Sequence, residues 1–307
     1  TFYYDALRST RTGTTWGIEE TKKEGDDTFP AWAGTWDVGD STTAQVVFDA
    51  SFRDFRPTTT AKWFYCCEAL KQIEGMEYLN TSEVKDMSKM FYGCSALTSI
   101  DLKHFNTQNV TNMKGMFRRC SALTSLDLQH FNTQNVTDMR IMFDDCKALK
   151  TLDLQNFNTQ NVTDMYGMFW NCAALTSLDL QNFNTQNVID MRLMFAHCLA
   201  LTSLDVQNFN TQKVTDMNWM FYACPALTTI YSNTAWRCPK SDDMFFCNPK
   251  LKGAVSYDGK NRDVMMANPE TGYFTAKPTT VERNKRSAAH LPAARKRGAR
   301  KHLAGGV

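Results

Sequence analysis

The sequence predicts an α/β solenoid in which short rungs, each of one parallel strand and one short helix, stack into a continuous core capped at both ends. Three observations predict it. Cys94, Cys120, Cys146, Cys172, Cys198 and Cys224 recur every 26 residues without a slip. The residues around them recur too, and in each copy the hydrophobic period changes once, from the three-and-four spacing of a helix face to the spacing of a strand. Finally, 43% of the 307 residues are hydrophobic, enough for a core that runs the length of an array.

One copy reads Phe131-Asn-Thr-Gln-Asn-Val-Thr-Asp-Met139-x-x-Met142-Phe143-x-x-Cys146-x-Ala-Leu149-x-x-Leu152-Asp-Leu154. Imperfect copies at 64–70, around Cys67, and at 244–251, around Cys247, bring the number of units to eight. Val110, Met113, Met116, Phe117 and Cys120 fall on one face of a short helix. Asn109 with Asn112, or Asn135 with Asp138, supplies its capping residue and N3 partner. Leu123-x-x-Leu126-x-Leu128 then has the spacing of a leucine-rich repeat, with Leu126 and Leu128 pointing inward from a short strand. The expected fold is thus a right-handed leucine-rich-repeat-like solenoid, its eight strands about 4.8 Å apart in one parallel sheet. A lone rung has too little apolar surface to offset its backbone entropy, so each must bury the open face of the next.

The array occupies 61–251. Residues 1–60, with strand-like 1–4 and 46–48 and with Trp16, Trp32 and Trp36, form an N-terminal cap region. Residues 252–276, with Tyr257 and the segment 272–275, form a C-terminal cap. Residues 277–307 carry nine Lys and Arg against one acid and few apolar side chains, the composition of a disordered basic tail. The remaining chain has 25 bases and 31 acids and is mildly acidic. No run of about twenty apolar residues is present to span a membrane as a helix. A first residue of Thr rather than Met suggests a trimmed or mature form whose export signal, if it had one, is gone.

Catalytic constellations are missing. The five histidines are scattered, with His104 and His130 at one repeat position, and no phosphate loop, nucleophile elbow or H-E-x-x-H occurs. The expectation is no enzyme and no cofactor. The array cysteines replace one another at an inward position, as a ladder of small buried hydrophobes. No C-x-x-C pair begins a zinc site, and Cys238 and Cys247, outside strict register, are open to a local disulfide.

Asp101, Asp127, Asp153, Asp179 and Asp205 stand outward between inward leucines, so stacking lines them up on the strand face. Mutual repulsion predicts raised carboxylate pKa values there. A solvated acidic face is the plain reading, with weak calcium binding as its alternative. Asn106, Asn132, Asn158, Asn184 and Asn210 form a second ladder, placed to bond the backbone of adjacent turns.

The variable positions of M-x-x-M-F-x-x-C lie on the outer helix face. They supply Tyr92, Arg118, Arg119, Arg140, Tyr166, Trp170, Arg192, His197, Trp219 and Tyr222, the residue types enriched at binding hot spots. This stripe is the candidate ligand-binding surface, and the concave strand face is its competitor.

The repeat F-N-T-Q-N-V-T-D-M-x-x-M-F-x-x-C-x-A-L-T-S-L-D-L resembles the 26-residue bacterial surface-protein repeat of the BspA-like leucine-rich repeat family. The likeness extends over roughly 46–275, including the ending Met266-Ala-Asn-Pro-Glu-Thr-Gly-Tyr-Phe-Thr275. It implies a bacterial surface or secreted protein acting as an adhesion module for host or microbial proteins, with a glycan as the second choice of partner. Residues 278–307 depart from the family pattern and carry no recognised sorting motif. The alternative of another class is an intracellular or effector-type scaffold whose basic tail, with Lys285-Arg286 and Arg295-Lys-Arg297, contacts nucleic acid or an anionic membrane.

Overall fold

The computed structural model describes residues 1–4, 7–12 and 14–278; the tail reading, beyond Pro278, lies outside the described residues. The chain is a repeat solenoid. Phe64, Phe91, Phe117, Phe143, Phe169, Phe195, Phe221 and Phe245 mark its eight rungs, and their rings stack at centroid distances of 5.4–5.8 Å. Offset-parallel rings at this spacing make a favourable aromatic column.

The segment expected to be a helix is a run of tight turns, and no α-helix occurs among the described residues. Its backbone N–H groups alternate between two kinds of partner. Met116, Arg118 and Cys120 donate three residues back, to Met113, Gly115 and Phe117, at 3.1–3.2 Å. Met113, Gly115, Phe117 and Arg119 instead donate to Asp138, Arg140, Met142 and Asp144 of the next rung at 2.8–3.0 Å. A helix would direct every such group four residues back and leave none for a neighbour. Two residues in each unit, Gly115 and Arg119 in rung three, turn the chain with φ of 59° and 61°. Two consecutive four-residue turns bring positions i, i+3, i+4 and i+7 to one side, which is the spacing that suggested a helix.

The left-handed conformation costs about 1–2 kcal/mol for a residue with a Cβ. In one column it falls on Gly93, Asp145, Asn171 and His197, types that tolerate it, and on Cys66, Arg119, Ala223 and Cys247, which have no such preference. The other column has glycine only at 115 and 167, and includes Ile141, a β-branched residue at φ 49°. Ile141 is buried between glycines of the adjoining rungs: a Cβ on Gly167 would lie 3.1 Å from Ile141 Cγ2.

The expected helix cap is also different. Asn112 and Asp138 open the segment as Asx turns, each Oδ1 accepting the N–H two residues on at 3.0 Å. Asn109 and Asn135 reach back a rung instead, donating to the carbonyls of Ser82 and Gln108 at 2.8 and 2.7 Å.

Polar ladders run inside the stack beside the phenylalanines. Thr81, Thr107, Thr133, Thr159 and Thr185 are buried. Each hydroxyl bonds twice to the asparagine one rung on; Thr133 Oγ1 donates to the Asn158 carbonyl at 2.9 Å and accepts the Asn158 N–H at 2.8 Å. The Asn106 ladder therefore joins rungs through its backbone, whereas its side chains stay at home: Asn106 Oδ1 accepts the Gln108 N–H at 3.0 Å. That corrects the expectation that these side chains bond adjacent turns.

The array cysteines are buried, and each thiol donates to a phenylalanine carbonyl of the preceding rung, Cys120 to Phe91 and Cys146 to Phe117 at 3.1 Å. Burial pushes the Cys120 and Cys224 thiols up to about 12. In rung eight this position belongs to Asn248, not Cys247, which is exposed at φ 62°. The buried Asn248 amide donates to the Phe221 carbonyl at 2.7 Å and accepts the Cys224 N–H at 2.8 Å, closing the ladder. Cys238 and Cys247 are both free thiols, so no bridge joins them.

At the N-terminal end, β1 (Thr21–Glu24) and β2 (Asp27–Pro30) form an antiparallel hairpin. β3 (Gln45–Val47) runs parallel to β4 (Gln72–Glu74), and Phe2 bridges to Phe48 beside them. Phe48 then covers the open face of Phe64, with ring centroids 6.3 Å apart. At the other end Tyr273 and Phe274 set their edges against Phe245 at 5.4 and 6.2 Å. Both ends of the aromatic column are thus closed by rings.

The leucine segments do not form an eight-stranded sheet. β5 (Ser203–Asp205), β6 (Thr229–Tyr231) and β7 (Phe274–Thr275) pair in parallel. Between rungs two and five the contact is one long N–H···O bond per step, as in Thr124 to Thr98 and Lys150 to Thr124 at 3.3–3.4 Å. The ring spacing in the core exceeds the roughly 4.8 Å of paired strands. The ladder at the leucine edge is accordingly interrupted between rungs two and five.

Candidate binding face

The turns decide what faces outward. In each M-x-x-M-F-x-x-C unit the Met, Met, Phe and Cys point into the stack, and the four x positions form columns on one face. All ten stripe residues lie there, and the face divides into three parts of different character.

The first part is covered. Tyr92 is 2% exposed, stacked on Tyr65 at 4.5 Å and joined to a small cluster with Phe29, Ala33 and Cys66, so it offers no surface to a ligand. That corrects its place in the stripe. Arg118 lies over the Tyr92 ring and pairs with Asp144 through Nε at 2.5 Å. Burial outweighs that pairing and pushes the Asp144 carboxyl up to about 6. Arg119 reaches the Trp36 ring of the cap, 4.7 Å from its centroid.

The middle part is charge-compensated. Asp138, Asp164, Asp190 and Asp216 form an acidic column, of which the sequence singles out only Asp138, as a helix N3 partner. Arg140 bridges Asp138 and Asp164 at 2.5 and 3.5 Å, and Arg192 bridges Asp190 and Asp216 at 2.6 and 3.9 Å. Burial raises the Asp164 carboxyl all the same. The guanidinium of Arg192 also lies 5.1 Å from the Tyr166 ring. These two arginines neutralise a row of stacked acids.

The last part is open and apolar. Trp170 is half-buried over Gly167, and His197 packs on Tyr222 at 5.3 Å, which in turn meets Phe246 at 5.7 Å. Trp219, at 37%, and, on the preceding rung, Ile189 and Leu199, at 49% and 45%, are exposed. Ile189, Leu193, Leu199 and Phe246 escaped the sequence reading, although a signal existed. Ile189 stands where rungs three, four, five and seven carry Thr111, Thr137, Thr163 and Thr215, so it interrupts a run of threonines.

The acidic row of the strand face is differently placed. Asp101, Asp127, Asp153, Asp179 and Asp205 each accept the N–H two residues on at 3.0–3.1 Å, tying each carboxylate to its own loop. Asp101 also bonds the Lys103 ammonium, which lowers its pKa against the expected rise. Asp205 is clasped by Lys277, whose ammonium lies 4.8 Å from the Tyr231 ring. Among the described residues no group of three or more His, Cys, Asp or Glu is placed to hold a metal ion, and no helix is long and apolar enough to cross a membrane.

Among solved structures, the chain is similar to a leucine-rich repeat protein from Bacteroides ovatus ATCC 8483, at 14% identity over 84% of this chain and 90% of that one, with a TM-score of 0.22. It is also similar to a leucine-rich cell surface protein from Faecalibacterium prausnitzii A2-165, at 17% identity over 69% of this chain and 79% of that one, with a TM-score of 0.19. Neither superposes closely over its length. No curated protein matches. The family described as "Mycoplasma protein of unknown function, DUF285" matches residues 58–174 and again 142–256, spanning the whole array from the first rung to the last, and the chain belongs to that family.

Proposed function

We propose that the chain is a binding module, displayed at a bacterial surface or secreted, that takes a protein partner through the open part of the turn face. The observation that carries this reading is that rungs six and seven expose Trp219, Ile189 and Leu199 beside the half-buried pair of His197 and Tyr222, on a face whose middle part compensates its charges. Exposed rings rimmed by polar groups are what hot spots are made of. The surface location rests on the resemblance of the repeat to bacterial surface-protein repeats. The reading assigns the chain neither catalysis nor a cofactor, and calcium at the strand-face carboxylates stays outside it.

The test is binding to immobilised extracellular-matrix proteins at physiological salt. Saturable binding that weakens about tenfold or more in Trp219→Ala with Tyr222→Ala, and is unchanged in Arg140→Ala, is the expected result. Binding that needs only residues 279–307 and vanishes as salt rises is the signature of a counterion-driven tail contact and would overturn the reading.

A further inference from the structure

We propose that the N-terminal cap carries a second, separate site, for a neutral oligosaccharide. Between residues 1–4, Arg11 and 14–18 on one side and the loop 31–46 on the other lies a cavity of about 870 Å³. That is in the upper part of the roughly 300–1,000 Å³ range of small-molecule sites. One wall is firmly built: Asp40 donates its N–H to the Cys66 carbonyl at 2.8 Å and accepts the Glu68 N–H at 2.9 Å. Gly34 lets this loop lie directly on the array, since a Cβ there would meet the Cys66 carbonyl oxygen at 2.5 Å.

The lining selects the ligand. Its floor is aromatic, with Phe2 set against Trp32 at 5.2 Å and the Trp32 indole N–H donated to the Trp63 carbonyl at 2.8 Å. Its rim holds Trp16, 47% exposed, and Tyr3, 40% exposed. The charged groups of the lining are engaged within the protein. Asp40 Oδ1 accepts from Thr42 and Thr43, Lys22 Nζ donates to the Ala33 carbonyl, and the Arg11 guanidinium lies 3.6 Å from the Tyr3 ring centroid. An ionic ligand would have to displace these contacts. A purely apolar one would strip water from the Thr14 and Thr43 hydroxyls without replacing it. A sugar ring matches both demands, with C–H faces for the indole planes and hydroxyl edges for the threonines.

The experiment is titration of the full chain with neutral trisaccharides of glucose, mannose, galactose and N-acetylglucosamine, followed by tryptophan emission and by saturation-transfer NMR. At least one is expected to saturate the signal. Trp16→Ala should weaken that binding about tenfold or more, Trp16→Phe should keep it, and Trp219→Ala on the turn face should leave it unchanged. The proposal fails if no trisaccharide binds at concentrations on the order of 10 mM. It fails equally if Trp16→Ala binds like the parent chain while melting at the same temperature, or if Trp219→Ala abolishes binding. Because the turn face and the cap are tested by different variants and different ligands, either reading can fall without the other.

Discussion

The turn edge and the leucine edge of the solenoid are repeated together, yet only the turn edge is laced to its neighbours along the array. There, each of rungs three to five gives three or four backbone N–H groups to the next at 2.8–3.0 Å, with buried threonines and cysteines adding side-chain bonds across the same gap. The leucine segments make one backbone contact of 3.3–3.4 Å per step between rungs two and five, and become a ladder only in β5, β6 and β7. Turns with a left-handed residue are costly singly, but they free alternate N–H groups for the neighbouring rung. The edge that looks least regular thus holds the register, and the edge with the familiar leucine spacing follows.

The largest expected effect removes the last polar link of the turn edge. Asn248→Ala leaves the Phe221 carbonyl and the Cys224 N–H buried without partners, and should cost about 3 kcal/mol in a denaturant melt. Asn248→Cys, which restores the thiol of the other rungs, should cost clearly less. Equal losses for the two would mean that the amide is not the closing link.

Thr133→Val tests the same edge at mid-array. It removes two bonds to Asn158 while keeping the side-chain shape, and should cost about 1–3 kcal/mol. The exposed Thr151→Val on the leucine edge should stay within about 0.5 kcal/mol. Comparable losses at the two positions would erase the distinction between the edges.

The buried Asp144 lets pH report on the turn edge. An unfolded aspartate releases its proton near 3.8, whereas the native carboxyl holds it to about 6, so the native state binds more protons between these values. Stability should therefore fall as pH rises through that window, and Asp144→Asn should flatten the dependence. A melting temperature that rises with pH by the same amount in both proteins would contradict the burial-driven shift.

A smaller effect separates turn from helix. At Ile141, Gly should be more stable than Ala by about 1 kcal/mol, because φ is positive there. In a helix the order reverses by a similar amount. Smallest of all, Lys277→Ala opens a partly exposed clasp on Asp205 and should change stability by less than about 1 kcal/mol.

Much of this was legible residue by residue. Met139, Met142, Phe143, Cys146 and Leu149 are all inward, as their recurrence indicated, because identical rungs can stack only if identical side chains meet. The candidate stripe was legible as a face but not as a site. Tyr92 and Arg119 are engaged by the cap, Arg118 by Tyr92 and Asp144 of the adjoining rungs, and Arg140 and Arg192 by acids of their own and the next rung, contacts that no local window contains.

The sequence by itself determined the 26-residue period, the inward set and the eight-rung count, since these follow from which side chains must be shielded from water. Only the tertiary structure decided the path of the backbone between them. A spacing of three and four is common to a helix and to paired turns, and the choice rests on hydrogen-bond partners about 25 residues away, as in Phe117 to Met142. Those partners exist only once the next rung is in place.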